Sequence, residues 1–261
     1  MRCWILSMAA VMALTASCSV KEDRSECACL LVLDMSSCSD APDNIRIDLR
    51  TLDERIEQNF IPGQDSPFYE YPVTKGVCSL SAYLCPRELS SGTDKITFGQ
   101  GENCPELFAS CSVFEASGET AEHKVVLHKQ FATVTLDLED SPWNALPCTI
   151  TVKGEINGMT LSDLKPIKGK YVYEVMPDAS GIRSFRLPRQ TESSASELSL
   201  ELSAPGGSPQ MFDLGKYLSE AGYDWQKEDL EDITVKVRKT EIEVEISGSD
   251  WSIHSTDVIV I

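Results

Sequence analysis

Thr240-Glu241-Ile242-Glu243-Val244-Glu245-Ile246 decides the fold class. Its apolar residues take every second place, so in an extended chain Ile242, Val244 and Ile246 face a core while the three glutamates face water. A helix would scatter the same residues around its circumference. The stretch therefore predicts a half-buried antiparallel strand.

Similar short β-type stretches, broken by turns, recur over residues 30–33, 44–50, 77–84, 124–138, 148–156, 171–176, 184–187, 197–202 and 233–238. Asn157-Gly158 follows one of them and predicts a tight turn, because both residues tolerate positive φ. Residues 51–60 fit either a helix or a strand–turn–strand, and the strand periodicity of Ile45, Ile47 and Leu49 favours the latter. One helix is predicted over 214–221, with Asp213 as its cap, Leu214, Tyr217 and Leu218 on one face, and Gly222 as its end. The expected class is all-β: two tandem antiparallel β-sandwiches with a short helix in the second. An N-terminal sandwich is expected over 30–140 and a C-terminal one over 141–261. They are divided near 139–147, where Asp140-Ser141-Pro142 and Leu146-Pro147 interrupt the pattern.

The 261 residues carry 23 Lys and Arg against 41 Asp and Glu, a formal charge of −18. Such a surface repels phosphates, so no nucleic-acid partner is expected. At 42% hydrophobic and 25% charged, the chain has the composition of a folded protein.

Residues 1–17 are set apart as a signal peptide. Arg2 supplies the positive start, Trp4 to Leu14 is nearly all apolar, and Ala16 and Ser17 precede Cys18. The run is shorter than the roughly 20 residues needed to cross a bilayer, and no later stretch replaces it. Thr15-Ala16-Ser17-Cys18 resembles a bacterial lipobox, although its leucine, Leu14, stands four places before the cysteine and not three. Cys18 is thus the expected lipidation site, with 18–29 a lipidated tether; a secreted chain with Cys18 in a disulfide is the alternative. Several acyl chains would hold it far better than one, since each buried methylene adds about 0.8 kcal/mol. Ser19-Val20-Lys21-Glu22-Asp23 resembles the signal that sends Bacteroidetes lipoproteins to the outer face of the outer membrane, though a charged solvated tether would look the same.

Of the ten cysteines, setting aside Cys3 and Cys18 leaves Cys27, Cys29, Cys38, Cys78, Cys85, Cys104, Cys111 and Cys148. An even number in an exported chain suggests disulfides stapling the N-terminal unit. Eight cysteines allow on the order of a hundred pairings, and none is singled out. A zinc site using Cys27, Cys29, Cys104 and Cys111 is the sharper alternative, but the spacings fit no common knuckle.

Further stretches carry a family resemblance: residues 154–171 (GEINGMTLSDLKPIKGKY), 184–190 (SFRLPRQ), 212–225 (FDLGKYLSEAGYDW), 228–237 (EDLEDITVKV) and Trp251. The N-terminal half adds Pro72-Val73-Thr74-Lys75-Gly76 and Lys129-Gln130-Phe131-Ala132. Together they resemble the FimB-type minor fimbrial anchoring lipoproteins of Bacteroidetes type V pili. The resemblance implies two transthyretin-like β-sandwiches in tandem and a role in anchoring, initiating or terminating a fimbrium at the cell surface, in line with an outer-membrane lipid anchor facing the exterior. Its implied partners are fimbrial stalk or tip subunits, joined by strand exchange. It names no host ligand and implies no cofactor.

Strand exchange needs an apolar strand, and Val258-Ile259-Val260-Ile261 is apolar on both faces of any strand it forms. It either completes its own sandwich or is donated to a neighbour. No catalytic or metal residue is assigned. His123 and His128 would point to opposite faces of one strand, and His254 stands alone. Ser162-Asp163-Leu164-Lys165 has a Ser-x-x-Lys spacing without its partner motifs, and reads as a loop. The acidic run 228–232 reads as a solvated face, with a calcium site as the sharper option. Trp143, Trp225 and Trp251 raise a second function, glycan binding on exposed rings, against a packing role.

Overall fold

The computed structural model describes residues 27–86, 94–139, 141, 143–144, 148–238 and 242–247, and the backbone of 256–259. The first strands are β1 (Cys29–Asp34), β2 (Ile45–Arg50), β3 (Arg55–Phe60), β4 (Phe68–Val73), β5 (Gly76–Leu84) and β6 (Lys95–Thr97). There follow β7 (Phe108–Ala116), β8 (Thr120–Lys124), β9 (His128–Lys129), β10 (Phe131–Asp137), β11 (Thr149–Thr160) and β12 (Pro166–Glu174). The last are β13 (Arg183–Pro188), β14 (Ser199–Ser203), β15 (Gln210–Phe212), β16 (Asp232–Val237), β17 (Ile242–Ser247) and β18 (Thr256–Ile259).

Two sheets enclose a first core. In one, β1 lies between β4, antiparallel, and β8, parallel; the other has the order β3-β2-β5-β7-β9. Alternate residues of these strands point inward, so Leu31, Leu33, Ile45, Ile47, Leu49 and Leu80 are buried together with Phe60. Burying each such side chain stabilises by about 1.5–3 kcal/mol. Two further sheets, β13-β10-β16-β17-β18 and β12-β11-β14-β15, enclose a second core containing Val134, Ile150, Tyr171, Phe185, Leu200 and Val235. The predicted β-sandwich class is what the sheets and cores display, and residues 51–60 do form a turn and a strand.

The predicted helix is present as Leu214–Glu220. The Asp213 carboxylate accepts from the Lys216 amide at 3.0 Å, and Gly222 ends the helix at φ +75°. A second short helix, Glu192–Ala195, was not expected from the sequence; Thr191 and Ser194 cap it reciprocally.

Three expectations are corrected. The break at 139–147 is not where the cores change, because β10 pairs with β13 and β16 and buries Phe131, Ala132, Val134 and Leu136 in the second core. The chain changes sheets at Gln130, between β9 and β10, and the predicted single strand over 124–138 is three. Asn157-Gly158 is no turn; both residues lie within β11, and the turn falls at 161–163. Finally, Glu245 does not face water. It is 8% exposed and ion-paired with Lys236 of the neighbouring strand, whose ammonium pKa that hydrogen bond raises.

An arm between β5 and β7 joins the cores. Its β6 pairs antiparallel with Gly158–Thr160 of β11, on the edge that β14 uses further back. A Cβ on Gly158 would collide with the Ile96 carbonyl oxygen, which is why glycine stands there. Tyr83, Ile96, Leu107, Ala109, Met159 and Leu161 form a small third core at this contact.

Candidate functional site

The candidate exchange strand begins at the end of a sheet. Residues Thr256–Ile259 pair antiparallel with β17, Val258 opposite Glu245 and Ile259 opposite Val244. β18 is the last strand in its order, bonded within the described residues to β17 alone. Val260 and Ile261 lie outside the described residues, as do Cys18, the signal segment, Trp251 and His254. Beside β18 in the same sheet, Ile242 and Val244 of β17 are buried in the second core, while Glu243 approaches Arg238 at 3.8 Å.

In the acidic run 228–232 Glu228 is solvated, while Asp229 and Asp232, close to half exposed, also bind the junction between β9 and β10. The Asp229 carboxylate accepts from the Lys129 amide at 2.7 Å and meets His128 Nδ1 at 3.0 Å. Asp232 accepts from the Thr133 amide at 2.7 Å and pairs with the Lys129 ammonium. Arg189 closes the junction from the other side. Its guanidinium donates to Gln130 Oε1 at 2.9 Å and to the carbonyls of Trp225, Lys227 and Glu228 at 2.6, 2.8 and 2.9 Å. Burial pulls its pKa below the ordinary arginine value, and the Tyr223, Asp229 and Asp224 charges oppose that. The segment at which the chain changes cores is thereby fastened to the loop 224–232.

The other sequence candidates fall apart as chemistry. His123 and His128 lie on different strands; His123 stacks on Phe114 at 4.2 Å and shares a 2.8 Å hydrogen bond with Ser112, and burial lowers its pKa. Ser162–Lys165 is a loop in which Lys165 pairs with Asp163 at 2.6 Å, so the lysine does not serve the serine. Among the described residues no group of three or more His, Cys, Asp or Glu is placed to hold a metal. The eight described cysteines carry thiols, with no disulfide among them. Trp225 is buried edge-to-face on Tyr223, and Trp143 packs partly buried against the second core.

Two clefts are notable. One of about 380 Å³, at the end of the first sandwich, is lined mainly by Ala41, Pro42, Leu84, Phe108, Val126 and Leu127. The other, about 490 Å³, lies beside the helices, where Asp213 is engaged as a cap and Lys216 approaches Glu220 at 3.7 Å.

No protein-family model matches the chain, and no curated protein matches it. Solved structures do. An adhesin candidate from Bacteroides thetaiotaomicron superposes with a TM-score of 0.59 at 11% identity, covering 90% of this chain and 98% of its own. The fimbrial anchor protein Mfa2 from Porphyromonas gingivalis gives 0.53 at 15% identity, covering 88% of this chain and all of its own. The fold is that of Bacteroidetes fimbrial anchor and adhesin proteins. A candidate polysaccharide-binding protein from B. thetaiotaomicron shares it too, at 0.57 and 12% identity over 89% of this chain and 98% of its own.

Proposed function

We propose that the chain is a lipid-anchored surface subunit that anchors or assembles a fimbrium by exchanging a β-strand with pilin subunits. The observation that carries this reading is the end-to-end likeness of fold to a fimbrial anchor protein, with both sandwiches included. It is supported by the lipobox-like sequence before Cys18 and by the apolar Val258-Ile259-Val260-Ile261. Because β18, among the described residues, is held on one side only, giving it to a partner breaks one ladder, and a partner's strand can restore it. The two sandwiches, dividing at Gln130, serve as the bodies between membrane and pilus.

Crosslinking on intact cells followed by identification of the attached chain tests the role; recovery of a pilin supports it, and recovery of glycan-processing proteins alone overturns it. Deleting residues 255–261 tests the exchange. A folded chain that no longer joins fimbriae supports donation, whereas an unfolded one assigns the strand to its own sandwich. Cys18→Ser releases the chain from the membrane fraction into the soluble fraction if Cys18 carries the lipid. Glycan binding is the second reading, favoured by the polysaccharide-binding candidate of the same fold. The buried Trp225 gives it little to stack upon.

A further inference from the structure

Disulfides have strict geometry: the two Cα atoms must lie about 4.4–6.8 Å apart. Facing sheets are about 10 Å apart, so a bridge between them is possible only where they converge. In the first sandwich the sheets converge where β1 begins. There β4 crosses to β5 through Thr74 and Lys75 alone, and β7 crosses to β8 through Ser117, Gly118 and Glu119. Gly76 and Gly118 make these crossings at φ +146° and +76°.

Cys29 and Cys78 occupy this pinch, one in each sheet. Cys29 is the first residue of β1, paired with Val73 just before the crossing, and Cys78 follows shortly after it in β5. Both are 0% exposed and belong to the same core. Their sulfurs sit at the two crossings: Cys29 Sγ donates to the Ser117 carbonyl at 3.6 Å, and Cys78 Sγ to the Gly76 carbonyl at 3.9 Å. Burial raises the Cys78 thiol's pKa, and the nearness of Cys29 raises it further. Cys27, two places before Cys29, is exposed and lies outside β1.

We infer that Cys29 and Cys78 close an inter-sheet disulfide when the chain matures outside the cytoplasm, stapling the strand that receives the tether. The oxidant is a disulfide of another protein or of glutathione, acting before the core closes over the thiols. One S–S bond forms between Cys29 and Cys78 while the oxidant's S–S bond breaks; its two sulfurs take up the two electrons and the two protons. The inference rests on the surface reading only for the presence of that oxidant.

Full-length protein purified under reducing conditions is unfolded in urea, refolded with glutathione disulfide present, then denatured, alkylated and mapped without reductant. The same mapping is done on protein from the cell envelope. A linked peptide pair containing Cys29 and Cys78 in both samples is expected. The closed loop of about 50 residues predicts that adding reductant lowers Tm by roughly 5–10 °C, and that Cys78→Ala removes this sensitivity. Alkylated Cys29 and Cys78 after glutathione disulfide, or linkage of either to another cysteine, overturns the pairing. That result leaves the surface reading intact, since protease shaving of whole cells tests it separately. Linkage with glutathione disulfide but thiols in envelope protein overturns the inference through its oxidant.

Discussion

Arg189 gathers four acceptors with one guanidinium, three of them backbone carbonyls. A planar fork can span acceptors that a point charge cannot, so Arg189→Lys should lose about 2–3 kcal/mol in urea unfolding although the charge is kept. Carbonyl partners have no sequence signature, so the clamp could not be read from SFRLPRQ; only its arginine was visible. Asp48 is a second case. It is 7% exposed, and the guanidiniums of Arg50 and Arg55 lie 3.0 and 2.6 Å from its carboxylate. Burial pushes the carboxyl up, but hydrogen bonds from Arg55 and Arg50 outweigh this and hold it below the usual range. With the folded value beneath the unfolded one, near 3.9, the stabilisation is full above about pH 4 and is lost as pH falls through the folded value. Asp48→Asn should therefore cost about 1–2 kcal/mol at pH 7, with the gap to the parent narrowing below pH 4 in urea titrations. Alternation had already placed Asp48 among outward residues, and only the neighbouring arginines explain its burial.

Long alternating strands were legible because one face of each meets a core: β2, β5, β16 and β17 fall where their periodicity puts them. The short edge strands β6, β8, β9 and β15, with two to five residues each, offer too few alternations to count. The switch at Gln130 was hidden for a different reason. The backbone stays extended from His128 to Asp137 while its hydrogen-bond partners change from β7 to β13 and β16, and periodicity records burial, not partners. Asn157-Gly158 misled because glycine answers two needs, a turn or a close approach, and here Ile96 supplies the approach. Gly158→Ala should accordingly cost about 1–3 kcal/mol and detach β6, seen as faster proteolysis within residues 94–107. The candidate exchange strand was visible only as composition, since apolarity on both faces announces a need for cover without saying which sheet provides it.

At the scale of the whole molecule, the class and the presence of two cores could be read from strand number and turn spacing, whereas the arm that ties the cores together could not. Its contact is small, a three-residue ladder and six side chains, yet it adds a non-covalent attachment between the sandwiches beside the covalent one through Gln130. The position of β1 has a mechanical meaning. Its hydrogen bonds run to β4 on one side and β8 on the other, across the strand axis. A pull delivered through the residues before Cys29 runs along that axis, so it shears two ladders at once and cannot unzip them bond by bond. In the proposed anchoring role, traction from a filament swept by flowing liquid would meet a stiff first link, and rupture under such a load would come as a single abrupt event.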